Sequence, residues 1–221
     1  MLALAQHAEA RVVYTPANTI LLPDQRFGLD INHDGINDFR LSIAVGGTSV
    51  ALEVAPWGYY SRVNGVCGTN FLASALPPGV RIKIVAPPPL SRGKLMAGWS
   101  TSRGPGGHWV DVRNRYLGLW FVIKGKTHFG WARLNVEVKT YEIIATLTGY
   151  AYETIANKPI VTGKTNGSDE GIGVGGQPSH AALTMPGTEP ASLGLLALGA
   201  PGLSIRRTNA SKAANVSCSS F

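Results

Sequence analysis

Between Val12 and Thr154 this chain is written in a two-residue period, in short runs separated by glycine, proline and asparagine. Alternation puts successive side chains on opposite faces of an extended strand, and the i, i+3, i+4 apolar spacing of an amphipathic helix is almost nowhere to be found. Val80 to Val85 is the cleanest case, with Val80, Ile82 and Ile84 on one face and Arg81 and Lys83 on the other. Phe129 to Val138 would turn Ala132, Leu134, Val136 and Val138 inward, and Trp131, Arg133, Asn135 and Glu137 outward. Leu117 to Ile123 is nearly all apolar, which predicts a central strand covered on both faces. With Val12–Tyr14, Asp38–Val45, Ser49–Ala55, Tyr141–Thr148 and Tyr150–Thr154 the run amounts to about nine strands. The 27 glycines and 14 prolines suit many tight turns better than a helical bundle. The expected fold is all-β, an antiparallel β-sandwich or jelly roll.

One turn carries chemistry as well as geometry. Asp30-Ile31-Asn32-His33-Asp34-Gly35-Ile36-Asn37-Asp38 reads D-x-N-x-D-G-x-x-D. Ca²⁺ takes six to eight oxygen ligands, and alternate residues of a curled loop can supply them. Asp30, Asn32, Asp34 and Asp38 are the candidate side-chain ligands, and Ile36 would offer its backbone carbonyl. Gly35 stands where the chain must reverse, a conformation that costs glycine no Cβ clash. Leu41 occupies the place where an EF-hand carries its bidentate glutamate, and a strand-like pattern follows. The loop is therefore similar to the shorter calcium loop of secreted β-proteins, with Asp38 as the last ligand and Asp24 as an optional extra one. The alternative is an Asx-rich turn that needs no metal.

The net charge of +7 is unevenly placed. Ten lysines and arginines lie between Arg81 and Arg133 against one acid, Asp111, interleaved with Trp99, Trp109, Tyr116, Trp120 and Trp131. Such a mixture could neutralise a polyanion and stack on rings. In an exported protein an anionic polysaccharide or envelope component is the expected partner, and nucleic acid is not. An exposed Trp131 could stack on sugars; the plainer reading puts the tryptophans in the core and the cations in solvent.

No catalytic constellation emerges. Glu137, Glu142 and Glu153 have no spacing that sets two of them across a cleft, as a glycosidase requires. His108 and His128 have no nucleophile motif beside them. Gly171 to Gly176 satisfies G-x-G-x-x-G, but it lacks the strand and helix that give that fingerprint its use. Cys67 and Cys218 are too few for a disulfide framework or a zinc site, and they are expected to stay apart.

The remaining composition divides the chain. Residues 1–10 end in Ala8-Glu9-Ala10, the small-x-small form of a signal-peptidase site, and are read as the remnant of a signal peptide. Residues 11–163 are the β-domain, 164–190 a Gly/Ser/Pro-rich spacer, 191–207 a short apolar helix with a basic end, and 208–221 a disordered tail. Thr188-Glu189-Pro190, the apolar run Ala191 to Ile205 and then Arg206-Arg207 resemble the PEP-CTERM sorting signal of exported bacterial proteins. Asp30 to Phe39, His128 to Leu134 and Gly149 to Thr154 resemble the secreted domains that carry it. The resemblance implies an exosortase-type sorting enzyme acting at Glu189-Pro190. It also implies transient membrane insertion, stopped by Arg206 and Arg207, through an inner-membrane precursor. The destination would be the cell surface or the extracellular matrix. The expected function is a non-catalytic binding or structural role with a structural calcium site. The alternative is a lectin-like carbohydrate-binding or carbohydrate-active domain.

Overall fold

The computed structural model describes residues 11–58, 63–69, 71–84 and 93–166, and the backbone of 215–217. The expected leader remnant 1–10, the expected spacer beyond residue 166 and the expected sorting segment 191–207 lie outside the described residues. In chain order the strands are β1 (Val12–Leu21), β2 (Arg26–Leu29), β3 (Phe39–Gly46), β4 (Ser49–Pro56), β5 (Gly65–Val66), β6 (Arg81–Lys83), β7 (Lys94–Ser100), β8 (Gly104–Gly106), β9 (Val112–Ile123), β10 (Lys126–Lys139), β11 (Glu142–Glu153), β12 (Ile160–Val161) and β13 (Asn215–Ser217).

Two five-stranded antiparallel sheets form the sandwich, one ordered β1-β11-β10-β9-β5 and the other β2-β3-β4-β7-β8. Their inner faces meet in one core: Leu41, Leu52 and Met96 from the second sheet, Leu119, Phe121, Leu134 and Leu147 from the first. The period-2 pattern explains the division, since Leu41, Ile43 and the facing Leu52 and Val54 are all buried while the residues between them are less so.

A second core lies on the outer face of the first sheet. Leu76, Val80, Ile82 and Ile160 pack there with Tyr116, Trp120 and Trp131. The covering layer is the small sheet β12-β6-β13. Thr162 fastens it: its Oγ1 donates to the Pro77 carbonyl at 2.7 Å and accepts the Val80 amide at 2.9 Å. This corrects the expectation for Trp131, which faces outward from its sheet yet is fully buried beneath that layer. The doubly covered strand at Leu117 to Ile123 is observed, with Leu117, Leu119 and Phe121 in the first core and Trp120 in the second.

Other expectations shift at glycines and edges. Tyr141–Thr148 and Tyr150–Thr154 are one strand, β11, because Gly149 makes a bulge rather than a turn. The pairing with β10 slips between Arg133 and Leu134, and β1 carries a matching slip between Pro16 and Thr19. In the tail expected to be disordered, Asn215–Ser217 pairs in parallel with Arg81–Lys83. Cys67, buried in the second core, is disulfide-bonded, against the expectation that the cysteines stay apart.

Candidate metal centre

Residues 30–38 connect β2 to β3, and their ends are closed by the Asp38 amide donating to the Leu29 carbonyl at 2.9 Å. Ile31 is buried to 1% exposure and anchors the loop in the core. Its amide donates to Asp38 Oδ2 at 2.9 Å, drawing the last candidate ligand under the first ones. Gly35 has φ 86°, the sharp reversal read from the sequence, and His33 also sits in the left-handed region at φ 60°. Asn37 lies over Gly28, where a Cβ would come within 2.5 Å of its side chain, so a larger residue here would have to push the Asn37 amide aside.

The loop folds around its own carboxylates. Asp30 accepts the amides of Asp34 at 3.3 Å and Gly35 at 2.8 Å. Asp34 Oδ1 accepts the Ile36 amide at 2.9 Å, and its Oδ2 accepts the Asn32 side-chain amide at 2.8 Å. Asn32 is thereby turned so that its Oδ1 is buried with no hydrogen-bond partner. An orphaned acceptor inside a loop of carboxylates is costly unless a cation or a donor meets it. Ile36 keeps its side chain in solvent at 68% exposure, which leaves its carbonyl as the group it could contribute.

The electrostatics point the same way. Asp38 is buried, and that burial, with the Asp34 and Asp30 carboxylates adding to it against the Ile31 N–H, raises its pKa to about 6. Burial raises the Tyr150 and Tyr152 hydroxyls, and Asp30 adds to the first and Asp34 to the second. Among the described residues no ion pair is made by Asp30, Asp34 or Asp38, and Asp30 and Asp34 act on tyrosines of the opposite sheet, a field that a divalent cation would relieve. Among the described residues no three Asp, Glu, His or Cys side chains stand as an assembled metal cage. Here the donors are three carboxylates, an amide and a carbonyl, arranged in sequence order and held by backbone amides. The residues fit a calcium ion by donor type.

Sequence reasoning missed what holds the loop to the other sheet. His33 Nε2 lies 2.8 Å from Thr15 Oγ1 of β1, and its ring is tilted against Tyr150 of β11, centroids 5.7 Å apart. No spacing rule links those three positions. Asp24, the optional extra ligand, is elsewhere: its carboxylate accepts the Val45 amide at 3.2 Å, six residues along β3 from Phe39, or about 20 Å.

The candidate catalytic groups are engaged in other contacts or stand in solvent. Glu142 and Glu153 stand at opposite ends of β11. Glu137 and Glu142 share Lys139 at 3.5 and 3.9 Å, in solvent. Glu153 is buried, accepts the Ile155 amide and pairs with Lys158 at 3.6 Å. His128 is buried with Nδ1 2.9 Å from the Glu153 carbonyl, and His108 is exposed. Of the interleaved aromatics, Trp109, Tyr116, Trp120 and Trp131 fill the cores. Comparison with protein-family models, with characterised proteins and with solved structures finds no match to this chain.

Proposed function

We propose that this is an exported, envelope- or matrix-associated protein whose sandwich is stabilised by a calcium ion in the 30–38 loop, with a binding or structural role rather than a catalytic one. The observation that carries the reading is the loop itself: Asp30, Asn32, Asp34, Ile36 and Asp38 gathered between β2 and β3, with Asp38 buried and Asn32 Oδ1 unpartnered. A cation there would neutralise charge that the fold otherwise holds against the opposite sheet. It would also stiffen the junction between the sheets, because the same loop reaches Thr15.

Export is supported by the bonded state of Cys67, since disulfides persist in oxidising compartments and are rare in the cytosol. It is also supported by the likeness of Glu189-Pro190, the apolar run and Arg206-Arg207 to a sorting signal read by an exosortase-type enzyme. In that reading a precursor pauses in the inner membrane before release to the surface. The test of the calcium reading is the melting temperature of the full chain in calcium and in chelator. A ligand that binds only the folded state stabilises it by about 3 kcal/mol at a hundredfold excess over Kd. An unchanged melting temperature, or an unchanged difference in Asp34→Ala, would refute it. A lectin-like role is the second reading, favoured by one exposed tryptophan beside the loop, Trp57.

A further inference from the structure

We infer that the end of the sandwich bearing the 30–38 loop is a calcium-dependent docking surface for an acidic saccharide, attached through the bound cation and through Trp57. This rests on the calcium reading above. Asp38 joins the two points of attachment. Its carboxylate belongs to the loop, while its main-chain carbonyl accepts the Trp57 amide at 2.8 Å and the Asn64 side-chain amide at 3.3 Å. Asn64 Oδ1 in turn accepts the Val122 amide of β9 at 3.1 Å. Phe39, next after Asp38, pairs with Pro56, the residue before Trp57. The chain leaving β4 and the chain entering β5 are therefore both fastened to the last residue of the cation loop.

Three large apolar side chains are exposed on these segments: Ile36 at 68%, Trp57 at 43% and Val63 at 55%. Of the chain's five tryptophans, Trp57 is the most exposed. Nothing in the packing of the described residues requires an indole in solvent, whereas an indole face is well suited to the apolar face of a pyranose ring. The loop supplies oxygens from Asp30, Asn32, Asp34, Asp38 and the Ile36 carbonyl, which leaves about one to three places on a calcium ion for oxygens from outside. A sugar carboxylate is a hard, anionic donor of the required kind. Lys124 and Lys126, exposed in the turn that follows the Val122 held by Asn64, supply cationic charge at this end, which favours a polyanion over a neutral glycan and raises its rate of encounter.

The test titrates trigalacturonate, an acidic oligosaccharide too short to gel, into the full-length protein by calorimetry, in calcium and in chelator. Melting curves are recorded on the same samples. Binding is expected in calcium alone. Trp57→Ala should keep the calcium-induced rise in melting temperature and weaken trigalacturonate by about tenfold; Asp34→Ala should lose both. If the rise in melting temperature is present but trigalacturonate gives no heat, or binds Trp57→Ala as tightly as wild type, the docking surface is wrong and the calcium reading stands. Equal binding of neutral maltotriose, or binding confined to phosphatidylglycerol vesicles, overturns it too. If calcium leaves the melting temperature unchanged, both readings fall.

Discussion

His33, in the loop between β2 and β3, and Thr15, on β1 of the opposite sheet, place their Nε2 and Oγ1 atoms 2.8 Å apart. His33 holds this position from a left-handed backbone, φ 60°, which a non-glycine residue adopts at a cost of about 1–2 kcal/mol. Thr15 is also the ladder partner of Tyr150, so the histidine joins a small polar cluster at the rim of the core. Thr15→Val keeps the side-chain shape and removes the hydroxyl. Urea denaturation in saturating calcium should show a loss of about 1 kcal/mol, and calcium affinity should fall a few-fold because the loop loses its brace. Unchanged stability and affinity would mean that the contact contributes nothing.

Asp38 makes the metal-free protein sensitive to pH in a defined direction. Its folded pKa, about 6, lies above the ordinary 3.8. The folded state therefore holds the proton more tightly than the unfolded chain. The resulting stability is fully present below about pH 4 and is lost as pH rises through about 6, about 1–3 kcal/mol from this group once solvent screening is allowed for. In chelator, Asp38→Asn should abolish that fall, and the difference between variant and wild type isolates the contribution. In calcium the sign reverses, because the cation needs the carboxylate: apparent affinity should rise across the same window. Melting temperatures from pH 4.5 to 7.5, with calcium and with chelator, check both statements.

The fold of the 30–38 loop and that of the sheets were legible for different reasons. Oxygen-bearing residues at alternate positions with a glycine are a local pattern, and Asp30 to Asp38 forms a local structure held by its own amides. Trp131 could not be placed in the same way. Its outward direction follows from alternation, but the Leu76–Ile82 and Ile160 residues that bury it come from segments far along the chain. Strand β7 escaped notice because Gly98 and the buried Lys94 break its alternation; Lys94 is tolerated there because its ammonium donates to the Thr69 carbonyl. The His33 brace is a contact between non-local positions and leaves no trace in spacing.

Gly149 permits the close approach of Tyr14 at the bulge of β11. A Cβ at this position would lie 2.7 Å from the Tyr14 hydroxyl, which also accepts the Arg133 Nη2 donor at 3.3 Å. Gly149→Ala must displace the ring or the strand and should cost about 1–3 kcal/mol. Adding Tyr14→Ala should recover part of that loss, since the two substitutions share one clash. Strict additivity in denaturant titrations would show that the backbone, rather than Tyr14, demands the glycine.

Cys67 is disulfide-bonded in the second core, and the sequence offers one other cysteine, Cys218. Ser217, just before it, pairs with Lys83 of β6, and the neighbouring Ile82 shares a cluster with Cys67. The end of the chain is therefore expected to be stitched to the domain by a strand and a covalent bond. Cleavage between residues 167 and 190, by an added protease or by a sorting enzyme, should then leave two fragments that migrate as one species without reductant and separate with it. Cys218→Ser should release the tail fragment under both conditions and lower stability by about 2–5 kcal/mol. A disulfide-linked dimer on the non-reducing gel, or free thiols on both cysteines in the folded protein, would exclude this bond. Its presence would place Cys218 on the domain's side of any membrane, so a chain that carries the bond cannot at the same time span one through Ala191 to Ile205 with Arg206-Arg207 on the far side.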